Sequence, residues 1–236
     1  MNLILLHEHE LLPQHRVLLR DARFAHIRDV LRASEGDSVK VGILNGARGS
    51  AQITALANDH VELRYHCSDA PPAKLPVTLI LALPRPKAAR RLCRTIAELG
   101  VHKLILLNTY RVEKSYWQSP LLTQEKLLDY FIEGLQQAGD TVLPEFQTEK
   151  RFKPFVEDYL PQLSVNTRAL VAHPYGEGQA SAMENVPTVL AIGPEGGFIP
   201  YEIEKLNQAG LQTVNMGERI LKVETAVPTL LARLFP

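Results

Sequence analysis

Two glycine-containing segments near the C-terminus hold the residues best suited to chemistry. The first, Gly193-Pro194-Glu195-Gly196-Gly197-Phe198, follows the apolar run Thr188-Val189-Leu190-Ala191-Ile192. Glycines without Cβ atoms let a ligand approach the backbone, whose N–H groups before a helix can bind a carboxylate or a polar base edge. The second, Met216-Gly217-Glu218-Arg219-Ile220-Leu221, follows Gln212-Thr213-Val214-Asn215 and leads into Lys222-Val223-Glu224-Thr225-Ala226. Arg219 stands among apolar neighbours, where a guanidinium needs an anion or a carbonyl array to meet it. The alternative is a salt bridge to Glu195 or Glu224, with Glu224-Thr225 capping the last helix. Glu195 is either a base or a loop-organising acceptor. His173-Pro174 closes a further strand-like run and is either a packed residue or part of the same pocket. Neither segment has Gly-Lys-Ser/Thr or the GxGxxG spacing, which argues against nucleoside triphosphates and nicotinamide dinucleotides.

These loops need strands behind them. Residues 77–83, 103–107, 168–172, 188–192 and 212–215 are short apolar runs, and helical stretches separate the first of them. Pro86 opens a helix that stops at Gly100, and Ser119-Pro120 opens another that runs through Gln137. Pro228 is tolerable in the last helix only near its first turn. Uninterrupted apolar strands alternating with helices predict an α/β domain with a mostly parallel sheet covered on both faces. In such sheets ligands bind at the C-terminal ends of the strands. The first 70 residues read differently. Asp21 caps a helix ending near Gly36, and runs 38–44, 50–56 and 61–67 are joined by the turns Asn45-Gly46 and Asn58-Asp59. Short strands joined by tight turns predict a small β-barrel or sandwich. A proline-rich linker near Pro71-Pro72 divides the chain into 1–72 and 73–236.

The charges balance, with 26 basic and 26 acidic residues. The balance hides a basic segment: Lys74, Arg85, Lys87, Arg90, Arg91, Arg94, Lys103, Arg111 and Lys114 face only Glu98 and Glu113. Lys87, Arg90, Arg91 and Arg94 share one helix face opposite Leu92, Ile96 and Leu99, a pattern that suits a polyanion such as RNA. Arg20, Arg23, Arg28 and Arg32 offer a second cationic surface, interleaved with Asp21 and Asp29. Cys67 and Cys93 lack any metal-like partner spacing and read as ordinary thiols. No apolar run reaches the roughly 18–20 residues that span a bilayer, so a cytoplasmic protein is expected.

The chain resembles the RsmE family, the bacterial 16S ribosomal RNA (uridine-N3) methyltransferases of the SPOUT superfamily. The likeness rests on His26-Ile27-Arg28-Asp29-Val30-Leu31-Arg32 with Gly36-Asp37, on Ala97-Glu98-Leu99-Gly100-Val101, on Ile192 to Phe198 with Glu202, and on residues 216–226. Lys222, Glu218 and Asp140 depart from the family pattern; Asp140 stands at a usual arginine and bears on which nucleotide is the target. The resemblance implies a PUA-like β-barrel domain followed by a trefoil-knotted α/β domain. It implies S-adenosylmethionine held by His173, Pro174, Ile192, Gly193, Pro194, Glu195, Gly196, Gly197, Met216, Gly217, Ile220, Leu221, Glu224, Thr225 and Ala226, with no metal. Arg219 and Glu195 are the candidate catalytic residues. Arg20, Arg23, His26, Arg32, Lys87, Arg90, Arg91, Arg94 and Arg111 are the candidate RNA contacts. It further implies a homodimer acting on the 30S subunit. The competing expectations are methylation of a different ribosomal nucleotide, and a non-catalytic RNA-binding assembly factor.

Overall fold

The computed structural model of the chain describes residues 2–176, 178–182 and 186–236. It separates into two compact units, one formed by the chain up to Ala73 with Phe131–Leu143, the other by Lys74–Tyr130 and Pro144–Pro236.

In the first unit, β1 (Ile4–Leu6), β2 (Arg16–Leu19), β3 (Ser38–Ile43), β4 (Arg48–Leu56) and β5 (Val61–Asp69) form one sheet in the order β1-β3-β4-β5-β2. The β3–β4 and β4–β5 pairs are antiparallel hairpins, and Asn45 takes φ +61° in the first turn. Alternation along the strands turns Val39, Val41, Ala51, Ile53, Val61 and Leu63 inward, against Phe24 and Ile27. Each fully buried aliphatic chain of this kind contributes about 1.5–3 kcal/mol.

Asp21 does cap a helix, its carboxylate accepting the Arg23 N–H at 2.9 Å. That helix is shorter than expected. Only Ala22–Ala25 is α-helical, and His26–Val30 continues as a wider π turn. The Asp37 carboxylate then takes the Ser34 N–H at 2.7 Å, a local capture that competes with helix hydrogen bonding.

Arg23 is no surface cation. It is 8% exposed and donates to Glu10, Asp21 and the Leu5 carbonyl, the last at 2.7 Å. A buried guanidinium persists only when its donors are met, and here three acceptors meet them. Its hydrogen bonds hold the Asp21 carboxyl below the ordinary carboxylate range.

In the second unit, β6 (Leu75–Ala82), α1 (Pro86–Glu98), β7 (Val101–Leu107), the first half of α2 (Gln124–Ala138, whose residues from Phe131 onward belong to the first unit) and β8 (Glu145–Glu149) come first. Then follow β9 (Arg168–Ala172), β10 (Gly178–Gln179), β11 (Thr188–Ile192), α3 (Pro200–Gln208), β12 (Gln212–Asn215) and α4 (Val223–Leu234). The seven strands form one sheet in the order β10-β12-β9-β11-β6-β7-β8, with parallel neighbours throughout. The chain lays β7 and β8 outward on one side of β6, then returns to build β9, β11 and β12 on the other. β11 inserts between β6 and β9. α1 buries Ala88, Ala89, Leu92, Cys93, Ile96 and Ala97 and leaves Arg90 and Arg91 outside.

Two helix expectations change. The stretch after Ser119 begins as a separate 3₁₀ turn, Pro120–Leu122, and α2 starts only at Gln124. The Ser119 hydroxyl caps the first turn through the Leu121 N–H, and the Thr123 hydroxyl caps the second through the Lys126 N–H. Pro228 lies beyond the first turn of α4 rather than inside it. The helix survives because Val227, Leu230, Leu231 and Leu234 around it are buried, which offsets one missing backbone bond. Among the described residues no helix is long and apolar enough to cross a membrane.

Replacing Arg23 by Ala removes the guanidinium from the Glu10 and Asp21 carboxylates and from the Leu5 carbonyl, leaving Glu10 only the His7 N–H. Chemical denaturation is expected to show a loss of about 2–4 kcal/mol. Part of the cluster's contribution is present above the ordinary carboxylate range and is lost as pH falls through the lowered Asp21 value, so the variant's deficit shrinks in acid. A deficit under about 0.5 kcal/mol, typical of surface substitutions, would contradict this account.

Candidate active site

The site is built by the register of the sheet. Val214, Ala172, Ile192 and Leu81 stand in one row across β12, β9, β11 and β6. The strands are parallel, so the next residues, Asn215, His173 and Gly193, leave the sheet at the same level and on the same edge. Their loops enclose one cavity of about 390 Å³, inside the roughly 300–1,000 Å³ range of small-molecule sites.

Of the residues singled out in the sequence, His173, Pro174, Ile192, Gly193, Pro194, Glu195, Gly196, Gly197, Met216, Gly217, Arg219, Ile220, Leu221 and Ala226 line this cavity. Glu224 and Thr225 do not. The helix starts at Val223 with Lys222 as its cap, at least two residues earlier than their capping role requires, and the Glu224 carboxylate turns to Arg91 at 3.1 Å. Tyr175, Phe198, Asn215 and Val223 also line the cavity and escape the sequence reading. Asn215 had a weak signal, as a polar amide closing a strand just before a glycine. Its Oδ1 accepts the Gly217 N–H at 2.9 Å and its amide donates to the Gly176 carbonyl, tying two of the loops together.

Two glycines are sterically required. A Cβ at Gly193 would lie 3.0 Å from the Phe198 nitrogen, and Gly217 takes φ +111°. The loop after β11 is pinned from outside. Arg111, exposed at the cavity wall, donates to the Gly196 carbonyl, a neutral partner that orders the side chain and leaves its charge. The Glu195 carboxylate accepts the Arg85 N–H at 3.0 Å. Of its two expected roles the geometry fits the loop-organising acceptor. Glu202, 2% exposed, accepts the Tyr110 N–H at 2.7 Å and the Ile199 N–H at 3.0 Å.

Glu195 and Glu224 are thus engaged elsewhere, and neither forms the salt bridge that was the structural alternative for Arg219. Arg219 is an exposed cation on the cavity wall rather than a buried one, and Ile220 beside it is 68% exposed.

The cationic residues sort themselves by partner. α1 begins at the cavity edge, just after Arg85. Lys87, Arg90 and Arg91 are exposed along it. Arg90 and Arg94 stack over Tyr130, with guanidinium carbons 5.6 and 5.0 Å from the ring centre. Such stacking holds the planes without neutralising the charge. In the first unit, Arg20 pairs with Asp59 at 2.8 Å, and Arg32 is exposed at φ +51°. His26 is half-buried, and its Nε2 is enclosed without a hydrogen-bond partner among the described residues. Asp140 is buried, its carboxylate accepting the Thr141 and Val142 N–H groups at 2.6 and 3.1 Å. The departure from arginine at that position makes a turn instead of presenting a charge.

Comparison with known proteins bears on the whole chain. Residues 71–235 match the RNA methyltransferase domain model, and residues 19–64 match the RNA methyltransferase PUA domain model. Ribosomal RNA small subunit methyltransferase E of Treponema pallidum is 32% identical over 232 residues, covering 96% of this chain and 87% of the relative. The protein of the same description in Synechocystis is 30% identical over 221 residues, covering 92% and 72%. A Neisseria gonorrhoeae ribosomal RNA small subunit methyltransferase E, solved bound to S-adenosyl methionine, shares the fold. Its TM-score is 0.74 at 20% identity, with 98% of this chain and 95% of that one covered.

His173 forms part of the wall, and its Nδ1 lies 3.3 Å from the Tyr175 N–H, which donates to it. Burial pushes its pKa down, so the ring is neutral at pH 7 and the loop loses stability as pH falls below the ordinary histidine value of about 6.5. An NMR titration of the His173 ring should give a midpoint below that value; a midpoint above it would refute the neutral acceptor.

Proposed function

The chain belongs to the RNA methyltransferase family that includes the ribosomal RNA small subunit methyltransferase E proteins, and we propose that it methylates a uridine N3 in 16S ribosomal RNA from S-adenosylmethionine. The observation that carries this reading is a cavity at three adjacent, parallel strand exits, walled by backbone and apolar side chains, with a guanidinium on its wall that has no ion-pair partner among the described residues.

The residues present suit that cofactor. Ile192, Phe198, Val214, Leu221 and Val223 give the cavity apolar walls, and the glycine-bearing loops bring backbone polar groups close to any ligand. The bound cofactor supplies an electrophilic methyl group. The chain's own residues do the rest. A uridine N3–H is a weak imide acid and a poor nucleophile until its proton leaves, so charge must be stabilised on the ring as the proton goes. Arg219 is placed to hold negative charge on a uracil carbonyl. Glu195 acts as a positioning residue: by binding the Arg85 N–H it fixes the loop that forms one wall. His173, neutral and accepting from Tyr175, keeps a second wall from becoming cationic.

The RNA approaches across α1, where Lys87, Arg90 and Arg94 form a cationic face beginning at the cavity edge, with Arg91 beside them paired to Glu224. Such a face binds phosphates independently of sequence and makes affinity salt-dependent. The target base must leave its stack to reach the loops. We assign the protein to the cytoplasm and its substrate to the 30S subunit. We further take the active form to be a homodimer, since Tyr175, 80% exposed, and Ile220, 68% exposed, stand uncovered beside the cavity.

Replacing Arg219 by Ala is expected to abolish methylation of 30S particles from a deletion strain while calorimetry still detects S-adenosylmethionine binding. Near-normal turnover would remove Arg219 from the chemistry. Mass mapping of the product should place the methyl on a uridine base; a methyl on another base or on a ribose would move the acceptor. No heat with S-adenosylmethionine would point instead to a non-catalytic RNA-binding factor.

A further inference from the structure

A second cavity, of about 350 Å³, opens at the same C-terminal edge of the sheet, beside the exits of β6, β7 and β8. Its lining includes Leu83, Trp117, Gln124, Gln147, Thr148 and Lys150. Trp117, the chain's single tryptophan, is half-buried there and is immobilised. Its indole N–H donates to the Asn108 side chain at 2.8 Å, and the Lys150 ammonium lies 5.8 Å from the ring centre. Gln147 donates to Glu149 at 2.6 Å and accepts from the Tyr159 hydroxyl at 3.3 Å. Those bonds use one of its two donor hydrogens and one of its two acceptor positions.

A fixed aromatic plane, a lysine at it and the Gln124 amide are elements that bind one unpaired nucleotide, whereas the bonds of the Gln147 amide to Glu149 and Tyr159 turn it to the opposite face of the sheet. The base stacks, the cation meets a phosphate, and the Gln124 amide meets a base edge.

The two cavities are mechanically joined. The segment after β7 has Asn108 holding Trp117 at one end and Arg111 holding the Gly196 carbonyl at the other. Between them, the Tyr110 N–H is fixed by buried Glu202. The segment after β6 repeats the arrangement, with Leu83 in the second cavity and the Arg85 N–H on Glu195 of the first.

We propose that this cavity is a second RNA subsite that takes a base flanking the methylated nucleotide, stacked on Trp117 with its phosphate at Lys150. The inference rests on the reading of the protein as an RNA methyltransferase. It adds that the enzyme grips its substrate strand at two points on one sheet edge.

Trp117 is its own probe. Emission of the full-length protein should fall saturably as a single-stranded poly(U) or poly(A) oligonucleotide of about ten residues is added. Lys150→Gln, at an exposed position, should raise the midpoint of that titration about fivefold, as expected for one lost phosphate contact. Trp117→Phe should raise KM for 30S particles roughly tenfold, within the range of a weakened base stack, while kcat and the calorimetric affinity for S-adenosylmethionine stay within twofold. Unchanged emission at RNA concentrations that saturate the protein in filter binding would overturn the subsite, as would a Lys150→Gln titration identical to the wild type. Methylation activity with silent emission would sink the subsite alone. Quenching without methylation of any RNA would keep the subsite and sink the catalytic reading.

Discussion

One row of four residues sets the rest of the molecule. Val214, Ala172, Ile192 and Leu81 are hydrogen-bonded neighbours across four parallel strands, and everything placed at the cavity depends on that alignment. Side chains alternate with period two, so a slip of one residue in any strand would turn its buried face outward and move its loop by one position. β11, buried along its whole length, leaves no polar side that could tolerate such a slip. The apolar burial that stabilises the sheet is therefore the same force that fixes three loops at one level.

Loops need more than a common origin, because irregular backbone has no ladder to satisfy it. Here the missing partners come from a few polar side chains. Glu202 takes two backbone N–H groups from different segments, Asn215 joins the turns at Gly176 and Gly217, and Glu195 and Arg111 brace the loop between β11 and α3. Each bond commits a group that on composition alone could have been reactive or RNA-facing. Arg219 is left at the wall with Glu195 and Glu224 engaged elsewhere. Its availability is a consequence of how the other charges were satisfied.

The same economy governs the cationic surface. Of the arginines that read as one electropositive set, Arg23 is neutralised inside the first unit by Glu10 and Asp21, and Arg91 is paired with Glu224. Arg111 is held by a carbonyl and Arg90 lies over an aromatic face, neither of which cancels charge. A count of basic residues overstates the field that a polyanion meets, since pairing depends on which acids come near in three dimensions.

Local order in the chain was enough to define β6, β7, β9, β11 and β12, α1, the hairpins of the first unit and the two glycine loops. Continuous apolar runs, Asn-Gly and proline at a helix start act over a few residues. It did not define β8, whose Glu-Phe-Gln-Thr-Glu sequence becomes a strand because β7 offers an open edge. Nor did it define the displaced start of α2, the proline held within α4, or the partner of any charged residue. Those depend on contacts between segments far apart in sequence, as Arg91 with Glu224 and Tyr110 with Glu202 show. Spacing determined which residues could do chemistry, and tertiary packing decided which remained free to do it, because an ionic or hydrogen-bonding group is available only when nothing nearer has already satisfied it.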